Sequence, residues 1–438
     1  MNQPVQGFSK LSKSQKIDWL VSQQLKDSTT AREVLLQYWN TDEKLQELHD
    51  GFSENTITNY YLPLGLAPNF MINGDLKTIP MVIEESSVVA AASKAAKFWL
   101  NRGGFKTTIK GTTKSGQVHL NYAGLRSEME AFYAFAKADL LKSIVHINAS
   151  MKSRGGGLLS LELVDKTEAL KGYYQLHATF DTRDAMGANF INTVLEQLAN
   201  TLREKASEYQ GFSIAPPEVV MSILSNYVPD CVVHVEVSCP LVDLGTINGM
   251  AGADFARKFV QAVDVARVEP LRAVTHNKGI MNGIDAVVLA TGNDFRAVEA
   301  GVHAYASRDG QYRSLTRARV EDEVFTFEAD FPLALGTVGG LTSLHPLAKL
   351  SLQIMGNPDA RELMGITAVC GLAQNFAALH SLVTTGIQSG HMKMHLNNML
   401  EQIGATLEEK TELRQEYGNK TPSFSALKES LERMREWQ

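Results

Sequence analysis

Segments of helical and of strand periodicity alternate along the chain. Leucine, isoleucine and tryptophan recur at helical spacing in residues 12–27 and 30–48, which predicts two amphipathic helices. Ser87, preceded by two glutamates and followed by an alanine-rich run, predicts the start of another helix. Strict alternation over residues 107–121, with Ser-Gly inside it, predicts a β-hairpin.

A compact α+β unit is predicted next. A helix over residues 127–152 precedes three glycines, alternating stretches follow at 158–164 and 173–181, and a second helix begins near residue 187. The remaining elements are predicted as strands at 226–243, 314–320 and 323–331, a helix at 251–266, and a nearly all-helical region from residue 345 onward. The expected fold class is α+β or α/β with several domains, since 438 residues exceed the size of one hydrophobic core.

Composition and charge narrow the class of protein. Hydrophobic residues make up 44% and charged residues 21%, as in soluble globular proteins, and a net charge of -6 without a basic stripe argues against nucleic-acid binding. We expect no apolar run of membrane-spanning length, and residues 1–16 lack the apolar core of a signal peptide. The three cysteines are too widely spaced to indicate a disulfide framework or a zinc site, so a cytoplasmic protein without a metal is predicted.

The most informative segment covers residues 273–285 and 291–294. It gathers Lys278, Asp294 and several amide side chains among glycines. A lysine can stabilise negative charge on a carbonyl oxygen, and a neighbouring carboxylate keeps a desolvated lysine protonated. Composition alone favours an ordinary Asn/Gly turn that leads into a core helix. Neither a P-loop nor a Gly-x-Gly-x-x-Gly fingerprint occurs, so a nicotinamide enzyme would need a different cofactor fold.

At least five motifs, in order along the chain, decide between these interpretations. They include Glu54-Asn55, residues 79–93 around Glu85, the hexapeptide 184–189, the 273–294 segment and residues 386–392 around His391. Together they closely resemble class II 3-hydroxy-3-methylglutaryl-CoA (HMG-CoA) reductases. The resemblance runs from about residue 52 to residue 395, and it departs at Ser86, where most members have proline.

The resemblance implies a catalytic tetrad of Glu85, Lys278, Asp294 and His391. Glu85 would donate a proton and Lys278 would stabilise the oxyanion. Asp294 would lie between them, so that the three titrate as a unit, and His391 would protonate the departing CoA thiolate. Desolvation among valines and alanines would raise the pKa of Glu85, as a general acid near neutral pH requires. His391 and His395 lack a third ligand in the sequence, so they do not predict a metal site.

Cofactor contacts are expected in two segments. The family's dinucleotide signature, whose short side chains let helix N–H groups approach a pyrophosphate, is matched by Asp184, Ala185, Met186, Gly187, Ala188 and Asn189. Ser160 stands where some NAD-using members have an aspartate that would repel a 2′-phosphate, and Lys152 and Arg154 lie near it in sequence. NADPH is therefore the expected cofactor, with NADH as the alternative.

Substrate contacts are implied for Ser87, Arg272, Asn282, Asn226 and Glu54. Arg272 suits a free carboxylate because guanidinium binds it through two hydrogen bonds. Glu54 belongs to a Glu-Asn motif whose following residues depart from the common version. The implied substrate is HMG-CoA, with coenzyme A as part of it. The implied reaction is its four-electron reduction to mevalonate and CoA by two NAD(P)H.

The resemblance also implies a domain arrangement. A large substrate-binding domain would comprise residues 1–111 and 223–378, with a ferredoxin-like cofactor domain (112–222) inserted in it and a C-terminal helical flap (379–438) after it. A homodimer with active sites at its interface is expected, or a higher oligomer. Two other functions stay open: NAD-dependent oxidation of mevalonate, which Ser160 disfavours, and an inactive CoA-binding relative, which the intact tetrad disfavours.

Overall fold

The computed structural model describes residues 4–25, 28–386, 396, 399–417 and 423–436, and the chain divides into two units, Met1–Pro63 and Leu64–Gln438. Helices make up the first unit: a 3₁₀ turn (Phe8–Lys10), α1 (Lys13–Gln24), α2 (Thr29–Gln37) and α3 (Glu43–Asp50). The single helix predicted over 30–48 is therefore two helices. The break arises because the Asp42 carboxylate accepts hydrogen bonds from the N–H groups of Lys44 and Leu45 and so starts α3.

A two-stranded hairpin and two four-stranded antiparallel sheets, with helices packed on them, make up most of the second unit. Its strands are β1 (Leu64–Ile72), β2 (Asp75–Val82), β3 (Lys106–Ile109), β4 (Lys114–Asn121), β5 (Gly157–Asp165), β6 (Tyr173–Asp181), β7 (Glu218–Leu224), β8 (Val232–Pro240), β9 (Thr246–Ile247), β10 (Met250–Ala251), β11 (Thr316–Glu321) and β12 (Val324–Pro332). Its helices are α4 (Val88–Leu100), α5 (Arg126–Ser143), α6 (Val145–Ser153), α7 (Ala188–Glu208), α8 (Leu241–Leu244), α9 (Gly252–Val268), α10 (Pro270–Ala290), α11 (Phe295–Ala306), α12 (Gly340–Leu344), α13 (Pro346–Ile354), α14 (Ala360–Val383), α15 (Leu407–Tyr417) and α16 (Phe424–Glu436).

The larger hydrophobic core lies on one face of the sheet ordered β11-β12-β8-β3. Alternate residues of the central strands, such as Val235 and Phe327, are fully buried there, against α9 and α14. The β1–β2 hairpin and α4 extend the same core. The opposite face carries charged side chains, among them Arg317 and Glu328, as in an antiparallel sheet with one solvated face.

A second hydrophobic core belongs to the sheet ordered β5-β6-β4-β7. Buried residues of β4 and β6 pack against α5 and α7, so residues 114–224 form a mixed α+β unit with a core of its own. The helix predicted over 127–152 is two helices, α5 and α6, which meet at Ile144. The other predicted strands and helices of this unit are present.

The hairpin predicted over 107–121 is wrong. β3 pairs with β8 in the larger sheet, whereas β4 pairs with β6 and β7 in the smaller one. Between them, Lys110 N–H and Thr113 N–H donate to the carbonyls of Val232 and Asp230, which carries the chain from one sheet to the other. Gly116, the expected turn residue, lies inside β4, where a Cβ would come within 2.5 Å of Leu195 Cδ1 on α7.

The glycines of the 273–294 segment serve helix packing rather than a turn. Residues Pro270–Ala290 form one continuous helix, α10. A Cβ at Gly283 would lie 2.2 Å from the carbonyl oxygen of Cys370, and a Cβ at Gly371 would lie 2.8 Å from Ile284 Cγ1, so α10 and α14 approach closely at these two positions. Helix α14 is long and apolar enough to span a membrane, contrary to expectation, but 67% of its most apolar window is buried inside the fold, as in a core helix.

The C-terminal part of the unit has a small core separate from the other two. Leu400, Leu413 and Leu427 are fully buried in it, between α15, α16 and the residues that precede them. Helical structure in this region agrees with the pattern of the sequence. The predicted domain limits themselves stay a prediction.

Candidate active site

Glu85 and Lys278 form an ion pair across 193 positions of sequence. Glu85 lies in the loop between β2 and α4, and Lys278 lies in the middle of α10. The Lys278 Nζ atom is 2.7 Å from Glu85 Oε2, and Asn282 Nδ2 is 3.5 Å from the same oxygen. Lys278 and Asn282 reach one carboxylate because residues four apart share a helix face. Three of the predicted residues are thus brought together.

The pair is open to solvent in the single chain. The side chain of Glu85 is 40% exposed and that of Lys278 is 59% exposed. The desolvation expected for both groups is therefore absent from one copy of the chain. A reaction that depends on a low dielectric around these charges needs another surface to cover them.

Ser87 sits two residues after Glu85 and begins α4 in the left-handed region, with φ 76°. Ser87 is the N-cap residue, as the predicted helix start requires, but its side chain makes no hydrogen bond to the helix. A non-glycine residue in this conformation is strained, and such strain is often found at functional sites. The hydroxyl beside Glu85 is therefore not committed to the helix and fits the predicted substrate contact.

Arg272 lies in the first turn of α10, half-buried, and desolvation lowers the pKa of its guanidinium. Within the described ranges, no carboxylate lies within 4 Å of it. Its two parallel N–H donors therefore lack an internal anion, which suits the predicted contact with a substrate carboxylate.

Asp294 does not reach Lys278 within one chain. Its carboxylate caps α11, accepting from the N–H groups of Arg296 and Ala297, and lies 3.2 Å from the Arg296 guanidinium. The part of α10 between Lys278 and its end at Ala290 is about 18 Å long. The predicted position of Asp294 between Lys278 and Glu85 is thus wrong for a single copy of the chain.

The hexapeptide 184–189 forms a tight loop before α7. Gly187, at φ 100°, is the N-cap and leaves the first N–H groups of the helix without a side-chain cap. Asp184 holds the loop in place: its Oδ1 accepts from Ala360 N–H at 3.0 Å and its carbonyl accepts from Thr337 N–H at 2.8 Å. A helix start with uncapped N–H groups is suited to a pyrophosphate.

Asn293 joins the Asp294 loop to this hexapeptide. Its amide accepts from Gly336 N–H at 2.8 Å and donates to the Gly336 carbonyl at 3.0 Å. A Cβ at Gly336 would lie 2.4 Å from Met186 N, so only glycine fits between the two loops. Asp294 therefore belongs with the dinucleotide loop, just past the C-terminal end of α10, whereas Lys278 lies in the middle of that helix.

Ser160 and Lys152 line a groove of about 630 Å³ beside β5, together with Lys137 and Lys142. Ser160 Oγ lies 2.7 Å from Thr179 Oγ1. Asn148 also lines the groove, and Gly157, with φ 119°, packs so closely against it that a Cβ there would lie 2.4 Å from Asn148 Oδ1. Arg154, exposed at the end of α6, is not among the groove residues.

The remaining predicted site residues belong to several different segments of the chain. Asn226 lines a small cavity with Met186 and Lys114, next to the dinucleotide loop. Ala188 and Asn189 are the first residues of α7. Glu54 is an exposed residue of the N-terminal unit, and His391 and His395 lie outside the described residues.

Comparison of the chain with known proteins identifies its family. The sequence model of hydroxymethylglutaryl-coenzyme A reductase matches residues 15–396. The chain belongs to the hydroxymethylglutaryl-coenzyme A reductase family.

Similar family members come from archaea and bacteria. A 3-hydroxy-3-methylglutaryl-coenzyme A reductase of Archaeoglobus fulgidus is 36% identical over 413 residues, which cover 93% of this chain and 89% of the relative. A probable reductase of Borreliella burgdorferi is 35% identical over 81% of this chain and 80% of its own length. A solved class II reductase of Streptococcus pneumoniae, bound to NADPH in open conformations, has 36% identity and a TM-score of 0.72, covering 97% of this chain and all of that one.

Two histidines of this reductase-family chain, one on α10 and one on β8, make contacts within the fold. His276 is buried, its Nε2 lies 2.6 Å from Thr316 Oγ1, and burial lowers its pKa to about 3, consistent with a role in the scaffold. His234, Glu236 and Glu328 bring possible metal ligands within 4.8 Å of one another, a cluster that the sequence did not indicate. Both Glu328 oxygens are bound by arginines, at 2.7 and 3.1 Å, so its charge is already balanced.

Sequence reasoning assigned no contact to the two residues that join the Asp294 loop to the dinucleotide loop. Asn293 lies inside the 291–294 motif, and Gly336 lies in a separate glycine-rich loop. The glycine-rich loop at residues 335–340 indicates that another segment packs closely against it, but a single sequence does not show which segment.

Proposed function

We propose that the protein is an HMG-CoA reductase, which reduces HMG-CoA to mevalonate and CoA with two NAD(P)H. The observation that carries the proposal is the Lys278–Glu85 pair with Asn282 beside it, built from the family's own motifs. NAD(P)H supplies hydride when it is bound at the 184–189 loop. The uncapped start of α7 and the glycines around it fit a dinucleotide.

The chemistry of the chain's own residues follows from the pair. Each of the two reductions places negative charge on the same substrate oxygen. In the first reduction it is the carbonyl oxygen of a thioester, and in the second it is the carbonyl oxygen of an aldehyde. The Lys278 ammonium stabilises that charge by a hydrogen bond. In its carboxylic acid form, Glu85 is the proton donor, and its contact with Lys278 at 2.7 Å lets that proton pass to the alkoxide of mevalonate, which leaves Glu85 as the carboxylate. His391 protonates the CoA thiolate, as the family resemblance implies.

A homodimer completes the site in this proposal. The dinucleotide loop and Asp294 lie at one end of α10 and the Lys278–Glu85 pair lies nearer the other, so one copy of the chain provides two half-sites. Leu271, Val274, Lys278 and Asn282 follow one another along one face of α10. Leu271 is 84% exposed and Val274 is 55% exposed, which is typical of a surface that a partner covers. A second copy there would desolvate the ion pair and bring its own Asp294 to Lys278.

NADPH is the proposed cofactor. Lys137, Lys142 and Lys152 line the groove that contains Ser160, together with Glu162, and position 160 itself carries no acid to repel a 2′-phosphate. The same groove weighs against NAD-dependent mevalonate oxidation. We expect Lys152→Ala to lower kcat/KM for NADPH and to leave that for NADH nearly unchanged. Equal losses with both cofactors would contradict the assignment.

The domain assignment belongs to the same proposal. Residues 112–222 act as the cofactor domain, supported by the separate hydrophobic core of their sheet and helices. Residues 1–111 and 223–378 form the substrate domain, and 379–438 form the flap that carries His391.

One assay tests the activity. Purified protein should oxidise NADPH only when HMG-CoA is present, release CoA thiol, and consume two NADPH for each HMG-CoA. Lys278→Ala should abolish the activity, whereas Lys258→Ala, an exposed lysine of α9, should behave as wild type. Absence of HMG-CoA-dependent oxidation in the wild-type protein would refute the proposal and favour an inactive relative.

A further inference from the structure

Lys114 is a buried lysine directly beneath the dinucleotide loop. It is the first residue of β4 and only 5% exposed. Its Nζ donates to Thr182 Oγ1 at 2.5 Å and to the carbonyl oxygen of Ala185 at 2.9 Å. Lys114 therefore contacts the hexapeptide from the interior side, at the point where the chain enters the smaller sheet.

The charge of Lys114 has no close counter-ion. In the part of the chain that the structure describes, no carboxylate lies within 4 Å of the ammonium. Desolvation lowers the pKa of Lys114, and the thiol of Cys231 and the carboxylate of Asp181 oppose this shift only in part. Asp181 also lies 3.7 Å from Arg183. A buried ammonium without a paired carboxylate costs stability unless another anion compensates for it.

The loop above Lys114 is built around its two acceptors. Thr182 Oγ1 donates to the Ala185 carbonyl at 2.7 Å, and Ala185 N–H donates to the Thr182 carbonyl at 3.0 Å, which closes a tight turn. A Cβ at Gly187 would lie 2.5 Å from Thr182 Cγ2, so the start of α7 rests on the same threonine. The ammonium is thus fixed against the turn that presents the helix N-terminus.

We propose that Lys114 is a positioning residue for the dinucleotide: its buried charge adds positive potential behind the start of α7 and strengthens binding of the pyrophosphate. The inference rests on the proposed function, since it needs a dinucleotide at this loop. The pyrophosphate is common to NADPH and NADH, so Lys114 affects the affinity for both equally. In this it differs from Lys152, which faces the groove proposed for the 2′-phosphate.

The effect expected on affinity is large because the charge lies in a dry interior. An uncompensated unit charge several ångströms from a dianionic pyrophosphate changes affinity by roughly ten- to a hundredfold. The effect expected on the ligand-free protein has the opposite sign. Lys114→Met removes a buried charge while Thr182 still donates to Ala185, so the thermal unfolding midpoint should stay the same or rise. A lysine that only supported the fold would lower the midpoint when replaced.

The experiment measures Kd for three probes: NADPH, ADP-ribose, and adenosine 2′-phosphate, which has no pyrophosphate. For Lys114→Met we expect the Kd values of NADPH and ADP-ribose to rise by similar factors and that of adenosine 2′-phosphate to stay unchanged. Lys171→Met, an exposed lysine of the same unit, should match wild type for all three. Lys152→Ala should raise the Kd values of NADPH and adenosine 2′-phosphate but leave the Kd of ADP-ribose unchanged.

A second variant isolates the charge. Lys114→Gln is neutral but keeps N–H donors for Thr182 and Ala185. It should therefore weaken the binding of NADPH and ADP-ribose as Lys114→Met does, and it can be measured even if Lys114→Met does not fold. Wild-type affinity in Lys114→Gln would overturn the inference. Equal loss of all three probes, or a lower unfolding midpoint in both variants, would overturn it too. Failure of the wild-type protein to bind NADPH or ADP-ribose would instead refute the proposed function.

Discussion

Asp285 is expected to make the stability of the protein depend on pH. It lies on α10, seven residues after Lys278, and faces Glu299 on α11. Desolvation, together with the nearby Glu299 carboxyl, raises the pKa of Asp285 to about 8 from its ordinary value of 3.8. The folded protein therefore holds a proton on Asp285 that the unfolded chain releases at lower pH. A raised acid pKa favours the unfolded chain as pH rises, so stability should fall between pH 4 and pH 8.

The size of the effect follows from the shift. Each pKa unit is worth about 1.4 kcal/mol, so a full shift would remove about 4 kcal/mol of stability by pH 7. Asp285 is only partly buried, and solvent screening reduces this to about 2 kcal/mol. Asp285→Asn removes the penalty, because the amide is neutral in both states. For a chain of this size, the thermal unfolding midpoint at pH 8 should rise by roughly 2 °C.

The assay is thermal unfolding of wild type and Asp285→Asn at pH 5 and pH 8. The variant should exceed wild type at pH 8 by more than it does at pH 5. Asp309→Asn, which replaces an exposed aspartate, should show no such difference. An Asp285→Asn effect of equal size at both pH values would refute the assigned titration.

Three further substitutions test other parts of the structure. Asn293→Ala leaves the backbone groups of Gly336 without their partner and should raise KM for NADPH as the 184–189 loop loosens; an unchanged KM would contradict the link between the loops. Gly283→Ala should lower the free energy of unfolding by about 1–3 kcal/mol, because its Cβ would meet the Cys370 carbonyl, and denaturant unfolding measures this. His391→Gln should slow HMG-CoA reduction far more than reduction of free mevaldehyde; equal slowing in both steady-state assays would remove its assigned role.

Local pattern predicted most of the elements because burial on one face of a helix or strand leaves a periodic trace. It failed at residues 107–121, where two strands with hairpin-like alternation belong to different sheets. Gly116 resembles a turn residue in sequence, yet it is a strand residue on which α7 packs. Only the partner element distinguishes these two uses of glycine, and a single sequence does not contain that information.

The candidate site, too, was predicted only in part from the sequence. The motifs assigned Glu85 and Lys278 to one site, and the two are in contact although 193 positions of sequence separate them. The motifs also implied that Asp294 joins them, which the length of α10 prevents within one chain. Desolvation of the pair was expected from the apolar neighbours in sequence, but those residues point into the core and leave the charges exposed. A site shared between two copies would account for both differences.

The most direct test of that account is activity from two inactive variants. Lys278→Ala and Asp294→Asn should each be inactive in HMG-CoA-dependent NADPH oxidation when prepared alone. In a mixed dimer, a site that takes Lys278 from one copy and Asp294 from the other would have one intact centre and one centre with both defects. Co-expression of the two variants should therefore restore about a quarter of wild-type activity. Restoration of no activity in dimers shown to be mixed would contradict a site built from two copies.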